Sequence, residues 1–366
     1  MENDIKKTRD FYSMKSNAKI LQHEFGYFSL GRWIREGHIN SGSDIKSICN
    51  LDGPGIFYFG ELGWCEAPFV PCFEEKVLKD LGEYELVQDH AGRHVLCFKG
   101  RRSGFMPEYV DHPVKDEYTW EQVKQRLSPD TPERYNNTNI LGNRMKELAG
   151  KGAMIGQQVV GGYMYLRSLV GPTEILYMVI DNPKLVHAMM ETWFEVADKV
   201  IAKHQEFITL DELFLAEDIC YNHGPLISPD MMREFLLPYY QELIKNIKSR
   251  QLEKTRHLFI QIDSDGDCRP VIDIYKEIGA DYFSPFEVAS GCDVVAIAKQ
   301  YPEMLMRGGI DKRILAQGKD AIDREIDRIM PFMSKRGGYI PTSDHGVPEE
   351  VSFENYVHYR KRLSEF

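Results

Sequence analysis

The stretch Leu258-Phe-Ile-Gln-Ile-Asp-Ser-Asp-Gly266 sets the pattern from which the rest of the chain is read. Leu258 to Ile262 is a mostly apolar run too short for a helix, so it reads as a strand, and Asp263, Ser264, Asp265 and Gly266 then form an acidic turn. The short apolar run recurs at Met154 to Val159, Glu212 to Ala216, Tyr282 to Ser284, Met304 to Met306 and Tyr339 to Pro341. Longer helical patterns lie between these runs. Asn182 before Pro183 and Ser228 before Pro229 each pair a capping side chain with a first-turn proline. Leu185, Val186, Met189, Met190, Trp193, Val196 and Val200 follow at helical spacing, and so do Ile322, Ile326, Ile329 and Met333, which run out at Gly337-Gly338. Strand and helix in repeated alternation demand parallel strands, because each helix must cross back over the sheet. A closed (β/α)8 barrel and an open doubly wound sheet both satisfy the pattern.

Composition narrows the function. The 366 residues carry 45 Lys+Arg against 56 Asp+Glu, a net charge of −11, which leaves no cation excess to bind nucleic acid or an anionic membrane. The 43% apolar content is that of an ordinary globular chain. Seven cysteines at irregular spacing, with no CxxC pair, argue against a disulfide framework and for a reducing compartment. Met1 to Asp10 is charged and lacks the apolar core of a secretory signal, and no apolar run is long enough to span a bilayer, so the expected location is cytoplasmic. No glycine-rich phosphate cradle follows a strand, so no nucleotide cofactor is expected. The first 110 or so residues read as an elaborated N-terminal region of helices and a few strands. It is rich in aromatics such as Tyr27, Phe57, Tyr58 and Trp64 and holds the basic turn Arg101-Arg102-Ser103-Gly104.

The residues just after each strand distinguish this chain from a generic α/β domain. Glu217 and Asp218 follow Ala216; Asp263 and Asp265 follow Ile262; Glu287 follows Ser284; Asp311 follows Met306; Asp344 and His345 follow Pro341. In a parallel barrel all strand C-termini open on one face, so these side chains converge on one mouth. Converging carboxylates must raise some of their pKa values, recruit a cation or face a cationic substrate, although any single acid after a strand can simply cap the next helix. Asp263, Asp265 and His345, with Glu217 as a further oxygen ligand, form a candidate set for zinc or another divalent metal; the alternative is an acid-rich loop around Gly266 without metal. Tyr163, Tyr165 and Arg167, after Gly161-Gly162, are candidate mouth residues that bind substrate, and Arg32 and Arg35 are candidate carboxylate binders.

The stretch Ala216-Glu-Asp-Ile-Cys-Tyr-Asn-His-Gly-Pro-Leu-Ile-Ser-Pro-Asp-Met-Met-Arg-Glu-Phe-Leu-Leu-Pro-Tyr-Tyr240 resembles the uroporphyrinogen decarboxylase superfamily. So do Gly308-Gly-Ile-Asp-Lys312, Gly337-Gly-Tyr-Ile-Pro-Thr-Ser-Asp-His-Gly-Val-Pro348 and Phe353-Glu-Asn-Tyr356, and the likeness runs from about Pro107 to Phe366. It implies a (β/α)8 TIM barrel spanning 1–366 as a single domain. The superfamily contains tetrapyrrole decarboxylases and zinc-dependent methyltransferases that exchange methyl groups between corrinoid proteins and small acceptors. The decarboxylases bind substrate acids through an Arg-Gln-Ala-Gly-Arg segment, of which Gly31-Arg32 is only an echo; Asp311 or Glu217 would then steady the protonated ring. The methyltransferases hold zinc with a His-x-Cys pair and a later Cys; the matching positions are Asp263, Asp265 and Asp344 or His345, an oxygen-and-histidine shell in place of a thiolate one. The resemblance implies methyl transfer to a small-molecule acceptor at an acidic mouth, with decarboxylation of a tetrapyrrole and a non-catalytic binding barrel as the other readings. The chain lacks a corrinoid-binding Asp-x-His-x-x-Gly motif, so a corrinoid would arrive on a partner protein. Oligomeric state is left open.

Overall fold

A computed structural model of the chain describes residues 1–101 and 107–366; most of the predicted turn at Arg101 to Gly104 lies outside the described residues. Its centre is a sheet of seven parallel strands: β1 (Ile56–Leu62), β6 (Met154–Val160), β7 (Glu212–Ala216), β10 (Phe259–Asp263), β11 (Tyr282–Ser284), β12 (Leu305–Arg307) and β13 (Tyr339–Ile340), hydrogen-bonded in that order. Helices cross back between them, which makes the fold an α/β barrel of the TIM type. Between β1 and β6 the chain inserts an antiparallel sheet of β2 (Lys76–Asp80), β3 (Tyr84–Gln88), β4 (His94–Phe98) and β5 (Glu108–Asp111). A two-residue pair, β8 (Cys220–Tyr221) and β9 (Gly224–Pro225), lies in the loop after β7.

Two expectations change. The barrel takes its first strand, β1, from the N-terminal region, where Ile56-Phe-Tyr-Phe-Gly was read only as aromatic-rich sequence. An eight-strand ladder is also absent among the described residues, since β13 and β1 do not pair. The extended segment 22–27 occupies that seam. Gln22 and Asp52 exchange bonds on the β1 side, and Phe28 N–H and the Gly26 carbonyl pair with Val347 on the β13 side.

The helix starts follow from their caps. The Asn182 carboxamide oxygen accepts the Leu185 N–H at 3.3 Å to open Pro183–Gln205, and the Ser228 hydroxyl accepts the Met231 N–H at 3.2 Å to open Pro229–Phe235. The helix Lys319–Arg336 ends at Gly337, whose φ of 80° few other residues tolerate. Two strands begin one residue later than the apolar runs suggest. Leu258 and Met304 are buried lead-in residues, whereas Asp263 and Arg307 belong to the ladder.

The barrel floor is closed by the first helix, Glu2–Tyr12. Phe11 and Tyr12 pack with Met154, Tyr282, Leu305 and Ile340 in a second, smaller apolar core. Beneath it the hydroxyls of Tyr12 and Tyr58 both donate to the buried Glu212 carboxylate. The open end is therefore the opposite one, where the strands terminate. Among the described residues no helix is long and apolar enough to cross a membrane.

Candidate active site at the barrel mouth

The acids after the strands do lie at one end of the barrel, but they divide into two groups according to what they touch. Glu217 is fully buried. One of its oxygens accepts the Tyr163 N–H at 3.1 Å, near the start of helix Gly162–Val170, and the other accepts the Tyr240 hydroxyl. A side chain on Gly161 would collide with that second oxygen, which explains the glycine there. Burial drives the Glu217 carboxyl up to about 7 against the pull of these donors. Asp344 is likewise enclosed, accepting Val288 N–H at 2.9 Å and Lys312 N–H at 3.1 Å, so one carboxylate joins the loops after β11, β12 and β13. Burial raises it to about 6.

Two more acids are neutralised in pairs. Asp311 forks onto its neighbour Arg313 at 2.9 and 2.8 Å, and the pair holds its carboxyl below the usual range, although burial pulls the other way. Asp218, at a φ of 45°, takes the Arg167 guanidinium at 2.6 Å. Arg167 thereby reaches the mouth as the sequence suggests.

What remains is a smaller constellation. Asp263, at the end of β10, accepts the Ser284 hydroxyl at 2.7 Å and is pushed up to about 6 by burial. Asp265 stands on the next turn, pushed up to about 7 by desolvation and by Asp218, Glu287 and Asp263. Its Oδ2 lies 3.7 Å from His345 Nε2. His345 is held between aromatic rings, stacked on Phe28 at 5.7 Å and tilted against Phe25 at 5.0 Å. Burial and the Lys312 ammonium lower its pKa, so the ring is neutral at pH 7. Glu287 braces the Asp265 turn from the β11 side. It accepts the Gly266 N–H at 2.9 Å and pairs with Lys312 at 3.3 Å. Gly266, at a φ of 77°, must lack a side chain because the Tyr221 backbone crosses directly over it.

Other expected residues fall elsewhere. Arg32 faces solvent on the helix Leu30–Arg35, bonded to Glu36 at 2.7 Å and to the Glu349 carbonyl, so it does not serve the mouth. Arg35 pairs with Glu349 on the same surface. Tyr165 points into the core, where it lines an apolar gap with Leu62, Leu127 and Trp193. Tyr163 is fully buried near Glu217, Asp218 and Arg167, and its hydroxyl finds no partner among the described residues.

Residues 105–365 match the family model for uroporphyrinogen decarboxylase (URO-D). The chain belongs to the uroporphyrinogen decarboxylase family. Uroporphyrinogen decarboxylases from Geotalea daltonii and Geobacter metallireducens are 24% and 25% identical to it over 274 residues, 71% of this chain and 73% of theirs. A methyltransferase from Methanosarcina mazei aligns over 98% of both chains with a TM-score of 0.56 and 13% identity, a likeness of fold.

A divalent metal requires a converging ligand set. Among the described residues no three His, Cys, Asp or Glu side chains are placed to hold a metal ion. Asp263 accepts Ser284 on one oxygen only, Glu217 is taken up by Tyr240 and an amide, and among the described residues the His345 ring faces Asp265 alone. The donor set expected for a divalent cation, Asp263, Asp265, His345 and Glu217, does not fit one. Two charged residues carry no role in the sequence reading, Lys312 at the mouth and Arg307 at the end of β12. Lys312 closes the quoted Gly308–Lys312 motif, where its acidic neighbour Asp311 drew the reading instead.

Proposed function

We propose that this URO-D family member is an enzyme that moves a methyl group between a corrinoid carried by a partner protein and a small acceptor bound at the barrel mouth. The observation that carries this reading is the Asp265–His345 pair, 3.7 Å apart, in a mouth where Glu217, Asp344, Asp311 and Asp218 are stapled or neutralised. The corrinoid would supply the methyl group. An acceptor becomes nucleophilic on losing its proton, and the neutral His345 ring beside Asp265 takes that proton and shares it with the carboxylate. The rise of Asp265 toward 7 keeps the pair poised between accepting and releasing a proton at neutral pH.

Two observations weigh against tetrapyrrole decarboxylation. A porphyrinogen carries carboxylates around its whole rim, and the mouth here is lined by Asp218, Asp263, Asp265 and Glu287. Of its cations, Arg167 and Lys312 are already paired with acids and only Arg307 lacks an ion pair among the described residues, too little positive charge for a rim of carboxylates, and Arg32 lies on the outer surface.

The test is incubation with a methylated corrinoid protein and a panel of amine, thiol and hydroxyl acceptors, read by the corrinoid absorbance, alongside uroporphyrinogen as an alternative substrate. Acceptor-dependent demethylation lost in His345→Ala supports the reading. Coproporphyrinogen formation at enzymatic rates, with no corrinoid change, overturns it.

A further inference from the structure

The inner wall of the barrel holds a cation and an anion that do not meet. Arg307 ends β12 one residue beyond the Phe283–Met306 pair, level with Ser284 and two strands from Asp263. Its Nη2 donates to the Glu24 carbonyl at 3.2 Å, but its buried Nε has no hydrogen-bond partner among the described residues. Arg307 is close enough to oppose the burial-driven rise of the Asp263 carboxyl, yet no ion pair joins the two among the described residues. A purely structural salt bridge would close that gap, because a buried Nε–H without an acceptor costs stability.

Space and an aromatic face accompany the charges. Tyr58, Gln158, Asp263 and Arg307 all keep partial solvent exposure although they line the inside of a barrel. Trp64, in the loop after β1, lies flat on Phe214 with centroids 5.2 Å apart and 17° between planes, and remains 44% exposed. Its neighbour Cys65 feels Asp218 and Asp263, which places this loop at the acidic mouth. An exposed indole face beside carboxylates is the chemistry that recognises an alkylated ammonium.

We infer that the mouth binds a small zwitterion, with its carboxylate on Arg307 and its ammonium end between Asp263, Asp265 and the face of Trp64. This rests on the proposed methyl transfer only in naming the substrate class: the acceptor would be the amine of an amino-acid-like compound, whose proton passes to the Asp265–His345 pair.

Calorimetry on the full chain tests the inference without any turnover. The probes are glycine betaine, a zwitterion whose charge does not titrate at the nitrogen; tetramethylammonium, the cation alone; and tert-butylacetate, the anion with an uncharged isostere of the trimethylammonium group. Glycine betaine should bind at least about tenfold more tightly than either half. Arg307→Gln should bring glycine betaine down to the affinity of tetramethylammonium and leave tetramethylammonium itself unchanged, while Asp263→Asn should weaken both cations and spare tert-butylacetate. Should Arg307→Gln fail to fold, the Asp263→Asn series and the wild-type ratios still decide. Equal affinity for glycine betaine and tetramethylammonium, equal weakening of both by Arg307→Gln in a folded protein, or no binding of any probe overturns the inference. Selective zwitterion binding without corrinoid demethylation would support it and remove only the methyl-transfer reading, whereas demethylation with no zwitterion preference would remove only this inference.

Discussion

Replacing Glu217 separates a carboxylate that builds the site from one that does its chemistry. Its ordinary pKa of 4.5 becomes about 7 in the fold, and the side chain is fully buried. A raised acid binds its proton more tightly when folded, so its contribution is fully present below pH 4.5 and is lost as the pH climbs through about 7. At roughly 1.4 kcal/mol per pH decade, the wild type gives up about 3 kcal/mol across that window. Glu217→Gln cannot ionise and escapes the loss. Its amide still accepts from the Tyr163 N–H, but it must donate to the Tyr240 oxygen, which also receives the Gly162 N–H at 2.5 Å. The stranded Tyr240 proton costs about 1 kcal/mol. The variant should therefore be about 2 kcal/mol more stable than wild type at pH 8 and no more stable at pH 5. Urea unfolding followed by tryptophan fluorescence at pH 5, 6, 7 and 8 measures this, and turnover at pH 8 should stay within a few-fold of wild type. Glu217→Ala, which deserts both donors, should lose about 3 kcal/mol or more at pH 5. Parallel stability profiles for Glu217→Gln and wild type would refute the burial argument. A large fall in kcat in the folded variant would refute the structural role.

Asp265→Asn should abolish the rise of kcat/KM through pH about 7 that ionisation of this carboxyl imposes on the wild type, with the unfolding midpoint little changed; a retained limb would assign it to another group. Metal analysis after exposure to zinc should find well below one ion per chain, since no ligand set converges among the described residues; one tightly held ion, lost in Asp265→Ala and His345→Ala, would contradict the geometry. Arg360→Met should cost about 3–5 kcal/mol in urea unfolding, because the buried guanidinium holds the His23 carbonyl at 2.8 Å and Gln22 at 2.6 Å and faces the Glu24 carboxylate at 3.6 Å; a loss below about 1 kcal/mol would show that the seam does not depend on it.

How much of this could be read from the sequence depends on what each residue had to reveal. The parallel barrel was legible because burial on both faces leaves apolar runs, as in Leu213, Phe214 and Leu215 on β7, and because Asn182 and Ser228 cap helices through local geometry. The first strand was hidden. Phe57, Tyr58 and Phe59 look like any aromatic cluster until Tyr58 is seen bonding Glu212, 154 residues away. The gathering of acids at one end followed from topology alone. Their division did not, since a carboxylate that accepts two amides and one left open to substrate are the same residue type.

The distinction lies in the donors that come within reach, and those are supplied by distant segments. Asp344 meets the Val288 and Lys312 amides, and Glu217 meets Tyr240 and the Tyr163 amide, so each is spent on fixing loops. Among the described residues Asp265 receives no comparable donor. It stands on a turn fixed by Glu287 through Gly266 and by Tyr221 through Asp267, with its side chain 42% exposed. The spent acids are thus a condition for the free one: Glu287 and Asp344 tie together the four loops after β10, β11, β12 and β13, and the Asp265–His345 separation is held by those ties. Loosening a tie should accordingly alter the Asp265 pH profile before it alters the fold. Glu287→Gln tests this, because the amide keeps its acceptor for Gly266 but loses the charge that holds Lys312 and helps raise Asp265. Its Asp265 limb should move to lower pH, both because a like charge has gone and because Lys312 is released; an unchanged limb would mean that the loop after β11 does not govern the pair.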